Sequence, residues 1–269
     1  MNSKKLQEKH LEILVRNGGF EFTNSFFPYT SGKIGPYYIQ SAVVMKDGKD
    51  YDEAIGDMSE MVFKVMEDKG IRDYVVSGGE RRDWIFSLPT ATELGRPHAM
   101  ICKNKDVLGA NMRGKIVVHV ADLNNEGSSP RSIWVPTIRM NEGGEVKDIF
   151  FYVDRMENGV QVMEALGLTS HSLVKLNGDA WRFLQRNDVV SGEIYKNLII
   201  RMEDKEGWAR KMLQSEKGFE TLSYLASGDH KNKDKVRDIL KIGYPDMEDE
   251  LIKRLSERGI EISIERIVN

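Results

Sequence analysis

At 269 residues, with 30% charged and 40% hydrophobic side chains, the chain carries enough apolar material for one large or two modest domains under a surface of mixed sign. A net charge of −3 gives no global basic field, so nucleic acid is not an expected partner, and no run of 18 apolar residues calls for a membrane span. The single Cys102 excludes an internal disulfide, and without an N-terminal apolar signal core the expected location is the cytoplasm.

Residues 3–17 place Leu6, Leu11, Leu14 and Val15 at helical spacing, and Gly18-Gly19 ends them as C-cap glycines do. Phe20 to Gln40 is rich in aromatic and turn residues, which predicts two short strands around a tight turn. A second amphipathic helix is expected over 51–69. From there the periodicity alternates, with strands expected at 73–77, 98–102, 115–121, 146–153 and 171–176 and helices at 84–95, 130–142 and 157–166. This is the pattern of an α/β fold with a central parallel sheet flanked by helices. Beyond about Val190 charged helical segments take over, with 261–268 as a further strand candidate. The expected organisation is an N-terminal helix and hairpin over 1–48, an α/β core over 49–190 and a helical appendage over 191–269. Cys102, at the end of His-Ala-Met-Ile-Cys, is expected in a buried strand as a packing residue. His119, inside an apolar strand with no companion ligand, is expected to be a satisfied core histidine, and no His/Cys cluster has metal-ligand spacing.

Parallel sheets bind ligands at the carboxyl ends of their strands. The richest of these ends is 115–139, where the apolar run Ile116 to Val120 turns polar at Asp122 and Asn-Asn-Glu-Gly-Ser-Ser leads into a helical segment with Pro130 in its first turn. Backbone N–H groups in such a loop and first turn lack internal acceptors and converge, which suits phosphate oxygens. An ordinary strand-to-helix connection with a serine N-cap has the same pattern, so these residues alone leave both readings open.

The order of the pieces resembles a type I phosphoribosyltransferase, most closely orotate phosphoribosyltransferase. Tyr29-Thr-Ser-Gly-Lys-Ile-Gly-Pro-Tyr-Tyr-Ile-Gln40 is similar to the family's hood run T-L-K-S-G-x-x-S-P-Y-Y-I-D. The strand ending in Gly78-Gly79, followed by Ser87-Leu-Pro-Thr-Ala91, resembles the pyrophosphate-loop region. Val120-Ala-Asp-Leu-Asn-Asn-Glu-Gly-Ser-Ser129 sits where the family keeps V-D/E-D-V-x-T-T/A-G-x-S/A, its phosphoribosyl pyrophosphate (PRPP) signature. Val153-Asp154-Arg155, with Glu157 and Gly159, resembles V-D-R-x-E-x-G.

The resemblance implies transfer of a phosphoribosyl group from Mg²⁺-bound PRPP to a pyrimidine base, orotate by default, by a homodimer. It implies that Asp122 meets the ribose and steadies positive character at C1. The loop Asn125, Glu126, Gly127, Ser128 and Ser129 would hold the 5′-phosphate. Arg155, Tyr37, Tyr38 and Thr30 would surround the base, and Lys103 and Lys105 would serve the pyrophosphate.

Several positions depart from the pattern. Ala121 stands for the first acidic residue, Asn125 and Glu126 for the paired threonines, and Thr30 for the hood lysine; the long mobile loop is cut to Lys103–Gly109. Within the unusual insert Glu80–Phe86, Arg81 and Arg82 are two guanidinia able to supply the missing cations. These departures carry a second reading, a non-catalytic ligand-sensing or assembly relative that kept the fold and part of the phosphate site.

Overall fold

A computed structural model of the chain describes residues 3–262. Its strands, in chain order, are β1 (Phe20–Pro28), β2 (Ile34–Ile39), β3 (Val75–Gly79), β4 (His98–Ile101), β5 (Val107–Gly109), β6 (Ile116–Asn124), β7 (Glu145–Asp154) and β8 (Thr169–Lys175). The chain divides into two compact units, one built from residues up to Gly19 and from Gln40 to Phe183, the other from Phe20–Ile39 and from Leu184 onward.

In the first unit the strands lie in the order β5-β4-β3-β6-β7-β8. Neighbours from β4 to β8 run parallel, as expected from the alternation, but β5 is an antiparallel edge that the sequence pattern did not reveal. It forms because residues 102–106 close a tight turn: the Cys102 N–H donates to the Asp106 carbonyl, and Lys105 adopts φ 71°. Cys102 is therefore half-buried at the start of a turn, which corrects the expectation of a buried strand position. β6 also runs three residues past its expected end, because Leu123 and Asn124 still pair with Val153 and Asp154 of β7.

The central strands are apolar on both faces, as a doubly covered sheet requires. On one face Phe151 packs in a cluster with Trp134, Ile138, Val162 and Met163. On the other, Tyr152 stacks on Phe86 at 4.8 Å and meets His10 at 3.3 Å. The helices concerned are α1 (Ser3–Arg16), α2 (Gly48–Asp68), α3 (Asp83–Glu93) and α4 (Gly159–Ala165), close to the segments expected from periodicity. Helix α5 (Gly178–Arg186) was not foreseen. The segment after Ser128 is helical as expected but winds as π-helix over Pro130–Trp134 and Thr137–Asn141. Pro136 has no N–H to donate to the preceding turn, so the Val135 N–H reaches back to the Pro130 carbonyl and the coil widens there.

One buried carboxylate on β7 gives a direct stability test. Asp148 accepts from Lys69 Nζ at 2.6 Å and pairs with His171 Nε2 at 2.9 Å. Burial by itself pushes this carboxyl up, but the His171 and Lys69 hydrogen bonds and charges outweigh it and hold it below the usual carboxylate range. A depressed carboxylate stabilises the fold above its unfolded pKa and loses that contribution as pH falls through the folded value. Asp148→Ala is expected to cost about 1–2 kcal/mol at neutral pH. Thermal melts should show the gap between variant and wild type narrowing toward acid; a gap independent of pH contradicts the pairing.

The second unit joins the β1–β2 hairpin to the helices α6 (Gly192–Glu203), α7 (Lys205–Gln214), α8 (Glu216–Ala226), α9 (His230–Asp238) and α10 (Glu248–Glu257). Ser191, Asp204, Ser215 and Asp229 each cap a helix by accepting a backbone N–H, which explains how such charged segments stay helical. Their apolar stripes close one core in which Phe26 and Ile34 of the hairpin lie with Trp208, Phe219, Leu222 and Ile239. In the strand expected over 261–268, Glu261 and Ile262 are not in strand conformation, and the rest lies outside the described residues. Among the described residues, no helix is long and apolar enough to cross a membrane.

Candidate functional site

From β3 the chain crosses to β4 on one side and returns as β6 on the other, so the sheet's switch point lies between the carboxyl ends of β3 and β6. These two strands pair through Val75↔Val117, Val76↔Val118 and Ser77↔His119, and then part. Into the gap comes the Asp83 carboxylate, from the first turn of α3. Its Oδ2 accepts the Gly79 N–H at 3.1 Å and its Oδ1 the Asp122 N–H at 3.0 Å. Asp122 is itself buried at 7% exposure, with Ser41 Oγ donating to its Oδ2 at 2.9 Å. Burial first, then the charge of Asp122, pushes the Asp83 carboxyl well above the usual carboxylate range.

Beyond Asn124 the chain turns through Asn125, Glu126 and Gly127 and enters the helix at Ser128. Gly127 adopts φ 70°, and its carbonyl accepts the Arg131 N–H at 3.2 Å, which starts the helix. The loop is braced by α4, where the Gly159 N–H donates to the Asn125 carbonyl at 3.1 Å. Among the described residues no acceptor is found for the amides of Glu126 to Ser129, the condition for an anion site at a helix start. Ser128 is exposed, while Glu126 and Ser129 are half-buried.

On the other side of the crevice, Arg81 and Arg82 are exposed at the end of β3, with Arg81 at 83% side-chain exposure. Lys103 and Lys105 are exposed in the turn after β4. Glu80 ties the two loops, because its Oε2 accepts the Lys103 N–H at 3.0 Å. The four cations thus stand at the carboxyl ends of adjacent strands. At the end of β7 Arg155 is buried, its Nη2 4.0 Å from Glu157 Oε1. Asp154 beside it accepts from Asn124 Nδ2 at 3.1 Å, and burial raises its carboxyl.

Thr30, Tyr37 and Tyr38 belong to the second unit. Thr30 is exposed in the hairpin turn, Tyr37 is buried at 2% exposure, and Tyr38 packs against Phe27 at 6.5 Å. Arg201 of α6 lies 5.9 Å from the Tyr29 ring and 6.0 Å from that of Tyr37, a neighbour no motif announced. His119 is a core histidine as expected, but it is satisfied at Nδ1 only: among the described residues its buried Nε2 has no hydrogen-bond partner. It bonds Ser77 Oγ at 2.9 Å and stacks on Trp134 at 4.3 Å, and burial followed by the charge of His98 lowers it to about 3. Asp83, Ser41 and Trp134 were missed as site residues; each comes from a segment whose periodicity marks only a helix or turn.

No family model matches the chain. The orotate phosphoribosyltransferase of Thermoplasma volcanium is 26% identical over 172 residues, covering 62% of this chain and 96% of the relative. That of Saccharolobus solfataricus is 29% identical over 157 residues, covering 56% and 76%. Among solved structures, the orotate phosphoribosyltransferase of Aeropyrum pernix superposes with a TM-score of 0.55 at 20% identity, over 66% of this chain and 99% of that one. The UMP synthase of Leishmania donovani gives 0.63 at 17% identity over 76% of this chain, which spans 42% of that longer protein. The chain is thus similar in sequence to orotate phosphoribosyltransferases and shares the type I phosphoribosyltransferase fold. Its crevice holds Asp122 and the loop Asn125–Ser129 at the switch point, with the carboxyl of Asp83 beside them.

Proposed function

We propose that the chain transfers a phosphoribosyl group from PRPP to a pyrimidine base, with orotate + PRPP giving orotidine 5′-phosphate + pyrophosphate as the default reaction. The observation that carries this reading is the strand, loop and helix start at Asp122–Ser129, with four amides lacking acceptors among the described residues, in a chain whose relatives are named orotate phosphoribosyltransferase. A ring nitrogen of the base attacks C1 of the ribose as the bond to pyrophosphate breaks, so positive charge develops at the sugar and negative charge on the leaving group. The Asp122 carboxylate lies under the sugar and steadies the first; Arg81, Arg82, Lys103 and Lys105 neutralise the second. The amides of Glu126 to Ser129 fix the 5′-phosphate. Arg155, with Glu157 Oε1 4.0 Å from its Nη2, meets the base carboxylate. Magnesium arrives with the pyrophosphate as part of the substrate, and no protein ligand to it is assigned. The reading carries with it a homodimer in the cytoplasm.

The test mixes protein, Mg²⁺, orotate and PRPP and follows orotate absorbance, with calorimetric titration of Mg²⁺-PRPP alongside. Turnover supports the reading; binding without turnover selects a ligand-sensing relative; neither binding nor turnover removes both. Arg81→Ala is expected to weaken PRPP binding about tenfold, the loss of one charge-assisted contact. Unchanged affinity takes Arg81 out of the site.

A further inference from the structure

The open end between β3 and β6 is held by a side chain. The β3–β6 pairing stops at Ser77↔His119, and beyond it the N–H groups of Gly79 and Asp122 are both taken by the one carboxyl of Asp83. The space is shaped for that group. A Cβ on Gly79 would lie 2.6 Å from Asp83 Oδ2 and 2.2 Å from Trp134 Nε1, so any larger residue at 79 would displace the carboxyl or the indole. Asp83 Oδ1 lies 3.0 Å from the backbone nitrogen of Asp122, so the two acidic side chains occupy one buried corner of the sheet. Two like charges this close and this far from water, at 4% and 7% exposure, favour one proton held between the pair.

We propose that Asp83 is a positioning residue that clamps the carboxyl ends of β3 and β6 and shares one proton with Asp122, so that the pair offers a single negative charge to the crevice. The functional part of this inference rests on the PRPP reading. A polyanion entering beside two ionised carboxylates would be repelled by both, whereas beside a singly charged pair it meets only the carboxylate that the sugar needs. Of the groups set against Asp83 among the described residues, Asp122 from β6 titrates, while the Gly79 amide from β3 and the Trp134 indole from the helix after Ser128 do not. Ser41 reaches the pair only through Asp122. Burial, and then Asp122, accounts for the raised Asp83 carboxyl, in keeping with a held proton.

The first measurement needs no ligand. Infrared spectra of the wild type near neutral pH, with aspartate isotope labelling to identify the band, should show the carbonyl of a protonated carboxylic acid that bleaches as pH rises and is absent from Asp83→Asn. A wild type without that band overturns the shared proton, whether or not the variants fold. The second is a Mg²⁺-PRPP titration across pH. Wild-type affinity should fall as Asp83 ionises. Asp83→Asn, which keeps one acceptor but has no proton to lose, should bind about tenfold more weakly near neutrality and show no such fall. Asp83→Ala should be weaker still. A parallel pH dependence in wild type and Asp83→Asn overturns the clamp's part in binding. A wild type that binds no PRPP sinks the functional reading, and the infrared band then decides the pair by itself.

Discussion

Replacing Gly127 with valine should remove about 3 kcal/mol of stability and all measurable phosphate binding. Two costs add. A β-branched residue at φ 70° carries roughly 1–2 kcal/mol of backbone strain, because its Cβ crowds the following carbonyl. Its Cβ would also lie 2.8 Å from both Cβ and Cγ1 of Val162 in α4, an overpacking of about 1–3 kcal/mol. The relief available is for the loop to swing away from α4, which breaks the Gly159 N–H bond to Asn125 and scatters the amides of Glu126 to Ser129. Denaturant unfolding and phosphate titration read the two effects separately. A variant with an unshifted midpoint would show that the loop tolerates a side chain and that its shape does not depend on Gly127.

Removing the charge at Asp122 should have the larger effect on chemistry and the smaller one on folding. Asp122→Asn keeps an oxygen for the Ser41 hydroxyl and its backbone N–H for Asp83, so the unfolding midpoint should move little. Phosphoribosyl transfer should fall on the order of 100- to 1,000-fold, the range seen when one group placed against developing transition-state charge is lost. The loss should appear in kcat more than in KM, because the positive character at C1 arises only on the way to the transition state. Equal losses in both, or none, would place Asp122 among the structural residues of β6.

Much of the scaffold was legible because the signals are local. The Ile-Phe-Phe-Tyr-Val run of β7, the helical spacing of α1 and α2, and the polar turn after Val120 each declare themselves within ten residues. What escaped depends on partners far along the chain. β5 is three residues long, too short for a period-2 pattern, and exists because the turn at 102–106 lays it against β4. The extension of β6 through Asn124 is set by β7, and the π winding by Pro136. Of the candidate site, the loop and Asp122 could be read from their order and spacing. Asp83 could not, since the contact joining it to Asp122 spans thirty-nine positions and no motif links them. Arg155 was read as a base contact from its motif, but its burial against Glu157 was not visible in a linear pattern.

The second unit is discontinuous, a short hairpin from early in the chain completed by helices from its end. In this chain each piece completes the core of the other. A truncation after Phe183 would keep every strand of the central sheet while stripping the cover from Phe26 and Ile34, and a graft of the late helices onto another protein would arrive without the two strands that seed their core. In this chain the twenty residues of the hairpin and the helices after Leu184 therefore keep or lose their shared core together.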